Sequence, residues 1–227
     1  MMEDFDLFPL WLSLKTASIS TVVVFLVGVF LAYVISRRTF FGKSVVEAIF
    51  LLPLVLPPTV VGFALLYLFG KNGLIGKLLI DWFDVQIVFT WYGALIAAIV
   101  VSFPLMYQSA SAAFKQYDAN IENAARTMGK TKWQVFRTIS FPLAWPGLLA
   151  GIVLTFARGL GEFGATLMLA GYIPNVTDTI PIAIYFAVEA GDMSTAKIWV
   201  VTILALGFFA ILWLNWWSAR NMMRHTR

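Results

Sequence analysis

Five long stretches without a charged residue constrain the fold of this chain more than any other feature. They lie between Lys15 and Arg37, between Glu47 and Lys71, between Asp84 and Lys115, between Arg137 and Arg158, and between Lys197 and Arg220. A helix needs about 20 apolar residues to cross the hydrocarbon core of a bilayer. Charged residues make up only 12% of the 227 residues, about half the share found in soluble domains. We therefore predict an all-α integral membrane protein with five transmembrane helices.

We predict that residues 1–227 form one transmembrane domain that contains the five spans. The approximate bounds of the spans are 11–36, 46–70, 87–112, 139–170 and 197–218. The fourth span is predicted to be kinked or broken, because Arg158 and Glu162 interrupt its apolar run. Residues 178–192 have an apolar centre too short to cross a bilayer, which indicates a short extracytoplasmic or re-entrant helix.

Lysine and arginine predict the orientation. They cluster in three regions, namely Arg37, Arg38 and Lys43; Lys115, Arg126, Lys130, Lys132 and Arg137; and Arg220, Arg224 and Arg227. With five spans these regions share one side of the membrane, and the positive-inside rule makes that side cytoplasmic. The sequence therefore predicts an N-terminus outside and a C-terminus inside.

The stretch ENAARTMGKTKWQVFRTISFP, residues 122–142, contains Gly129, Lys130 and Thr131, which look like the tail of a nucleotide-binding loop. A complete phosphate loop reads G-x-x-x-x-G-K-[ST], and here the first glycine position holds Ala124. We therefore expect no ATPase, no catalytic residue and no cofactor in this chain. Cysteine is absent, which excludes disulfides and thiolate metal ligands, and we predict no metal site.

A helix–turn–helix fits this stretch better than a phosphate loop. Asp118 can cap a first helix, and Gly129 suits the left-handed position that ends it. Thr131 and Gln134 form a capping-box pattern that opens a second helix, which runs to Pro142. A solvated connection between two spans would show the same pattern. A DNA-binding motif is disfavoured, because membrane spans flank the stretch closely.

The same stretch resembles the EAA loop of bacterial ABC importer permeases. Glu122, Ala124, Ala125 and Gly129 are followed, after nine residues, by Ile139-Ser140-Phe141-Pro142, with Phe141 in place of the usual leucine. The resemblance implies that residues 115–139 form coupling helices that dock on a separate ATPase subunit, which binds ATP and Mg²⁺. The candidate coupling residues are Glu122, Ala124, Ala125, Arg126, Met128, Gly129, Trp133, Phe136 and Pro142.

Nearly the whole chain resembles the permease subunits of bacterial molybdate ABC importers. The stretches that carry this resemblance are RRTFFGKSVVEAIFLLPLVLPPTVVGFALL (37–66), GKNGLIGK (70–77) and FARGLGEFGATLMLAG (156–171). The resemblance implies a homodimer in the lipid of the bacterial inner membrane, two ATPase subunits, a periplasmic oxyanion-binding protein and no nucleic-acid partner. Tungstate, sulfate and thiosulfate permeases share much of this pattern, so these anions remain alternatives to molybdate.

Two groups of residues are candidates for a translocation path or gate. Pro53, Pro57 and Pro58 interrupt the second span, and Thr59 and Gly62 follow directly. Proline removes backbone hydrogen bonds, and in lipid such breaks are tolerated where they pack on protein or line a cavity. A static kink is the alternative.

The second group is Arg158, Glu162 and Gly164 in the fourth span. The two charges lie one helical turn apart and can neutralise each other. We interpret them as a structural pair at a hinge or gate, with a substrate ligand as the alternative. A secondary transporter driven by an ion gradient is the rival class, but no internal repeat is visible and the acidic Glu162 has an arginine nearby.

Overall fold

The computed structural model describes residues 6–225, with side chains described as far as Trp217 except that of Asn215. This part of the chain is all-helical and contains no strand, as the sequence predicts. The helices are α1 (Phe8–Ser36), α2 (Lys43–Val55), α3 (Pro58–Phe69), α4 (Leu74–Phe83), α5 (Trp91–Gln116), α6 (Ala119–Thr127), α7 (Lys132–Leu160), α8 (Gly164–Ala170), α9 (Ile180–Glu189) and α10 (Met193–His225). The side chains of Arg220, Arg224 and Arg227, which contribute to the predicted orientation, lie outside the described residues.

Four helices of the described chain are long and apolar enough to cross a membrane. They are α1, α5, α7 and the Met193–Leu214 part of α10. The α2–α3 pair is apolar enough for a fifth span, but the chain bends by 114° between the two helices. This segment is therefore a broken element rather than a straight span.

Helix α5 lies between α1 and α7 and forms the main core with them. The buried residues of this core are Val24, Val29, Ala32, Ile35, Met106, Tyr107, Ala110, Ala113, Phe114, Ala144 and Leu148. Lipid provides no hydrophobic drive for helix association, so small residues that allow close backbone approach decide the packing. A Cβ atom on Gly147 would lie 2.7 Å from Ala113 Cβ, and one on Gly151 would lie 2.9 Å from Ser109 Cβ. The α5–α7 contact therefore depends on glycine.

A second core joins α3, α8 and the first turns of α5. Its buried residues are Val61, Leu65, Val88, Ala97, Val101, Ala165 and Leu169. This core places the break between α2 and α3 beside the break between α7 and α8.

Pro53 does not interrupt the second span, contrary to the sequence prediction. It lies inside α2, which continues to Val55. The break falls at Leu56 and Pro57, whose ψ angles of 144° and 136° are extended. A residue before proline avoids the helical region, and Leu56 and Pro57 both precede a proline. The consecutive prolines therefore cause the break, whereas Pro53 removes only one hydrogen bond near the end of its helix.

The second helix of the predicted helix–turn–helix is not a separate element. It forms the first turns of α7, which continues past Pro142 to Leu160. Residues Phe136–Ser140 are π-helical, and the Phe141 N–H bonds to the Phe136 carbonyl. This wider turn lies directly before Pro142, which has no amide hydrogen to donate to the preceding turn of the helix.

Candidate functional site

The connection between α5 and α7, residues 117–131, folds into a short helix followed by a tight corner; we call this connection together with the first turns of α7, residues 117–137, the α6 loop. Asp118 caps α6 by accepting a hydrogen bond from the Asn120 N–H at 2.8 Å. Gly129 ends this helical turn with a φ of 85°. Both residues therefore have the local roles that the sequence predicts.

The first turn of α7 starts with a capping box at Thr131. The Gln134 N–H lies 3.3 Å from Thr131 Oγ1, and the Thr131 N–H lies 2.8 Å from Gln134 Oε1. Gly129, Lys130 and Thr131 thus connect two helices, and no strand precedes them in residues 6–128. This geometry is that of a helix–turn–helix corner and not that of a phosphate loop.

Glu122 is buried and lies at the centre of a hydrogen-bond network. Its Oε1 atom accepts from Arg37 Nη2 at 3.0 Å, from the Tyr117 hydroxyl at 2.6 Å and from Ser140 Oγ at 2.8 Å. Arg126 Nη2 lies 3.7 Å from the other carboxylate oxygen. The Glu122 side chain, only 4% exposed, thus faces its own subunit and not the surface of the loop.

Arg37 and Tyr117 support the charge on Glu122 in different ways. Burial opposes the charge on Arg37, but contacts with Tyr117 and Glu122 outweigh it and raise the pKa of the guanidinium. Burial and the hydrogen bond to Glu122 raise the pKa of the Tyr117 phenol, so it stays a protonated donor. The Arg37 guanidinium also lies 4.6 Å from the centre of the Tyr117 ring, within cation–π range.

The opposite face of the α6 loop is exposed and apolar. Met128 is 81% exposed and Trp133 is 67% exposed. Ala124 is exposed and presents only a methyl group, whereas Ala125 is buried against the bundle. Four exposed cations lie near this corner along the chain: Arg126, Lys130, Lys132 and Arg137. An apolar patch with a charged rim is typical of a protein-docking surface.

The remaining predicted loop residues lie at the start of α7. Phe136 is half-buried and its ring packs at 4.7 Å on that of Tyr33 in α1. Pro142 is exposed within α7. Phe136 therefore anchors the loop to the bundle and is only partly available at its surface.

Arg158 and Glu162 form an ion pair at the break between α7 and α8. Arg158 Nη1 lies 2.6 Å from Glu162 Oε2. Glu162 is 3% exposed, and its Oε1 accepts a hydrogen bond from the Ala165 N–H at 2.7 Å. Glu162 thus neutralises Arg158 in the last turn of α7 and accepts a hydrogen bond from a backbone N–H in the first turn of α8.

The two helix breaks pack against each other through glycine. A Cβ atom on Gly164 would lie 3.0 Å from Pro58 Cβ and 3.4 Å from the Thr59 backbone nitrogen. A Cβ atom on Gly62 would lie 2.7 Å from Met168 Cβ. The structure therefore brings together Pro58, Thr59, Gly62 and Gly164, which the sequence proposes for the path, while Pro57 caps α3 at the break.

Sequence reasoning missed the partners of Glu122. Arg37 is 85 residues away along the chain, and Ser140 is 18 residues away. Tyr117 belongs to no recognisable pattern, and Ser140 fills the variable position of the Ile139–Pro142 segment, where its residue type carries no signal. The available signal was Arg37 itself, directly after a span and thus able to reach an acidic residue in the next loop at the same membrane surface. Among the described side chains, no group of three or more histidine, cysteine, aspartate or glutamate residues is placed to hold a metal ion.

Comparison with known proteins gives a consistent family. Residues 24–222 match the family model described as "Binding-protein-dependent transport system inner membrane component". YvgM of Bacillus subtilis (strain 168), provisionally named a molybdenum transport system permease protein, is 49% identical over 208 residues, 91% of each chain. The molybdenum transport system permease protein ModB of Escherichia coli (strain K12) is 44% identical over 92% of this chain and 91% of its own length.

A solved structure has a similar fold. It is the bacterial alginate ABC transporter in complex with its alginate pentasaccharide-bound periplasmic protein, and the matching chain superposes with a TM-score of 0.72. The match covers 96% of this chain and 80% of the other at 18% identity, which supports the fold alone.

Proposed function

Since this chain belongs to the family of binding-protein-dependent transport system inner membrane components, we propose that it is the permease subunit of an ATP-driven importer and forms the translocation path for molybdate. The observation that carries the substrate is the 49% and 44% identity to molybdenum permeases over more than nine tenths of the chain. The path conducts the anion, and ATP hydrolysis takes place on a separate subunit.

The α6 loop is the docking site for that ATPase in this proposal. The exposed Met128 and Trp133 enter a groove on the partner, and the nearby cations contact its surface. Two permease chains present two such loops to two ATPase subunits. Each ATPase subunit binds ATP and Mg²⁺. When ATP closes the motor, the loops move together and the spans change between inward- and outward-facing states.

The contacts at the two ends of α1 support the predicted orientation. Arg37, at the end of α1, contacts the α6 loop. At the other end of α1, the Ile180 N–H of α9 donates to Ser13 Oγ at 2.8 Å, and Trp91 Nε1 of α5 donates to Thr16 Oγ1 at 3.0 Å. In this proposal the basic α6 loop lies in the cytoplasm, and the N-terminus and α9 lie outside.

The proposed assembly is a homodimer in the lipid of the bacterial inner membrane, with a periplasmic binding protein docked outside. Only 6% of the residues in the most apolar part of helix α10 are buried within the chain. This exposure supports an interface of α10 with lipid or with a second copy. The broken helices α2–α3 and α7–α8 supply the non-helical backbone that transport pathways use near the bilayer centre. In this account Arg158 and Glu162 hold the gate as a neutral pair, and the binding protein selects the anion.

The test is uptake of radiolabelled molybdate in cells whose own molybdate permease is deleted and which express this chain with its ATPase and binding protein. We expect uptake that survives a protonophore and stops when ATP is depleted. Unlabelled molybdate and tungstate are added in parallel with sulfate as competitors. Uptake that the protonophore abolishes would favour an ion-driven transporter, and competition by sulfate equal to that by molybdate would refute the substrate.

A further inference from the structure

We propose that Arg37 is a positioning residue, which ties the end of α1 to the α6 loop through Glu122 so that the loop and the adjoining ends of α1 and α7 move as one body. The proposal deepens the proposed function, because it identifies how a movement of the docked loop reaches the spans. It concerns a network whose centre, the Glu122 side chain, is buried within its own chain.

Three separate segments of the chain donate hydrogen bonds to one carboxylate oxygen, Glu122 Oε1. Arg37 follows α1, Tyr117 follows α5 and Ser140 lies in α7, and all three donate to Glu122 Oε1 within 3.0 Å. A buried charge is tolerated only when its partners are in place, so the network favours one relative position of the segments. Displacing any segment leaves the carboxylate short of a donor.

Helix α6 has few other contacts that fix its position relative to the spans. Helix α6 has nine residues, of which only Glu122 and Ala125 are buried. A helix this short is not stable in isolation. Its position relative to the spans must therefore come largely from the Glu122 network.

Among the described residues, Arg37 alone links the Glu122 network to α1. Tyr117 and Ser140 belong to the segments that the loop connects covalently, whereas Arg37 reaches Glu122 across 85 residues of sequence. Its guanidinium also stacks on the Tyr117 ring at 4.6 Å. Loss of Arg37 would leave the loop attached to α5 and α7, with the ring contact between Phe136 and Tyr33 as a remaining link to α1 but no link to α1 through Glu122.

Arg37 and Arg38 form a matched pair of test positions. Both are arginines at the same membrane surface, but the Arg38 side chain is exposed and takes no part in the Glu122 network. Arg37→Met and Arg38→Met remove the same charge from the same loop. A difference between these variants therefore reports the contact with Glu122 and not the loss of a cytoplasmic cation.

The first readout needs no partner protein. Because the chain has no cysteine, a spin label can be attached at Asn123→Cys, on the exposed side of α6, in the purified permease in lipid nanodiscs. We expect Arg37→Met to increase label mobility and Arg38→Met to leave it unchanged. Equal mobility in the two variants would overturn the tether, even if the protein proved not to be an importer.

The second readout is the number of anions transported per ATP hydrolysed by the complex reconstituted in liposomes with the ATPase and binding protein. We expect the complexes with Arg37→Met and Arg37→Lys to assemble but to transport about tenfold fewer anions per ATP, an effect typical of residues that share a network. Arg37→Lys keeps the charge but loses the planar guanidinium that contacts Glu122 and Tyr117. Arg38→Met should match the wild type. A wild-type ratio in both Arg37 variants would overturn the proposal.

A double-mutant cycle separates positioning from general stability. If Arg37 acts through Glu122, Arg37→Met combined with Glu122→Gln should transport about as well as the worse single variant. Additive losses would mean that the two residues act independently and would refute the tether. Absence of ATP-driven transport in the wild type would instead refute the proposed function, and the spin-label result would still decide the tether.

Discussion

Gly129 determines where the apolar face of the α6 loop points. Its φ of 85° turns the chain from α6 into α7, so that Met128 and Trp133 come to flank the same corner. Apart from Gly129 itself and its two chain neighbours, no atom of the described residues lies within 4 Å of the position that a Cβ would take. The effect of a substitution at Gly129 therefore comes from backbone conformation alone.

Substitution of Gly129 should separate folding from coupling. A left-handed conformation costs most residues roughly 1–2 kcal/mol, more for a β-branched side chain and less for asparagine. We expect Gly129→Val to insert into the membrane in normal amounts but to lose ATP-driven uptake, and Gly129→Asn to keep most of it. The measurement is molybdate uptake per amount of permease in the membrane. Normal uptake by Gly129→Val would contradict the assigned role of the corner.

Two aspartates outside the spans should affect stability with opposite signs. Burial raises the pKa of Asp178 above its ordinary 3.8, whereas a hydrogen bond from Thr195 lowers the pKa of Asp192. A raised folded-state pKa gives stability below the unfolded value that is lost as pH rises through the folded value. A lowered folded-state pKa gives stability above the unfolded value that is lost as pH falls.

We therefore expect Asp178→Asn to be more stable than the wild type at neutral pH, with the difference shrinking as pH falls toward about 4. Asp192→Asn should be less stable at neutral pH, by a smaller amount because Asp192 is exposed. Thermal unfolding followed by tryptophan fluorescence measures both. An Asp178→Asn advantage that grows toward acid would show that the buried carboxyl is not destabilising when charged.

At the scale of elements, the glycine contacts between the two helix breaks decide how closely α3 and α8 approach. A Cβ atom on Gly62 would meet Met168 Cβ at 2.7 Å and Ala165 Cα at 2.8 Å. At Gly207 in α10, by contrast, no atom of the described residues outside the neighbouring backbone of the helix lies within 4 Å of the same position. Both glycines lie inside helices, so their replacement by alanine brings the same gain in helix propensity.

Gly62→Ala should therefore destabilise the protein relative to Gly207→Ala. Forcing a methyl group into a close-packed contact costs about 1–3 kcal/mol. The midpoint of thermal unfolding in detergent should fall in Gly62→Ala and should stay level or rise in Gly207→Ala. Equal midpoints would mean that the α3–α8 contact yields easily and is not a fixed hinge.

The elements also show which local signals are reliable in a membrane chain. Most of α1 and most of α5 lie in the charge-free stretches between Lys15 and Arg37 and between Asp84 and Lys115, because hydrocarbon excludes charge. The α6 corner was predictable because capping is a local interaction of side chain with backbone. Helix α4 was not predicted, since Lys77 and Asp81 divide its ten residues and leave no long apolar run.

At the scale of the molecule, the sequence could not predict what meets what. Glu122 belongs to a recognisable motif, yet its burial beneath Arg37 depends on how α1, α5 and α7 pack. The approach of Gly62 to Met168 likewise depends on two breaks more than 100 residues apart. Such contacts are set by the packing of whole helices, which short-range patterns do not encode.

The central claim is that the exposed corner of the α6 loop docks on a separate ATPase. The most direct test places a photo-crosslinking amino acid at Met128, 81% exposed in this corner, and at Met193, 51% exposed at the start of α10, as the control. After illumination in cells, mass spectrometry identifies the adducts. We expect the Met128 position, and not the Met193 position, to capture a protein with a complete G-x-x-x-x-G-K-[ST] loop. The absence of such an adduct at Met128, or the same adduct at both positions, would contradict the account.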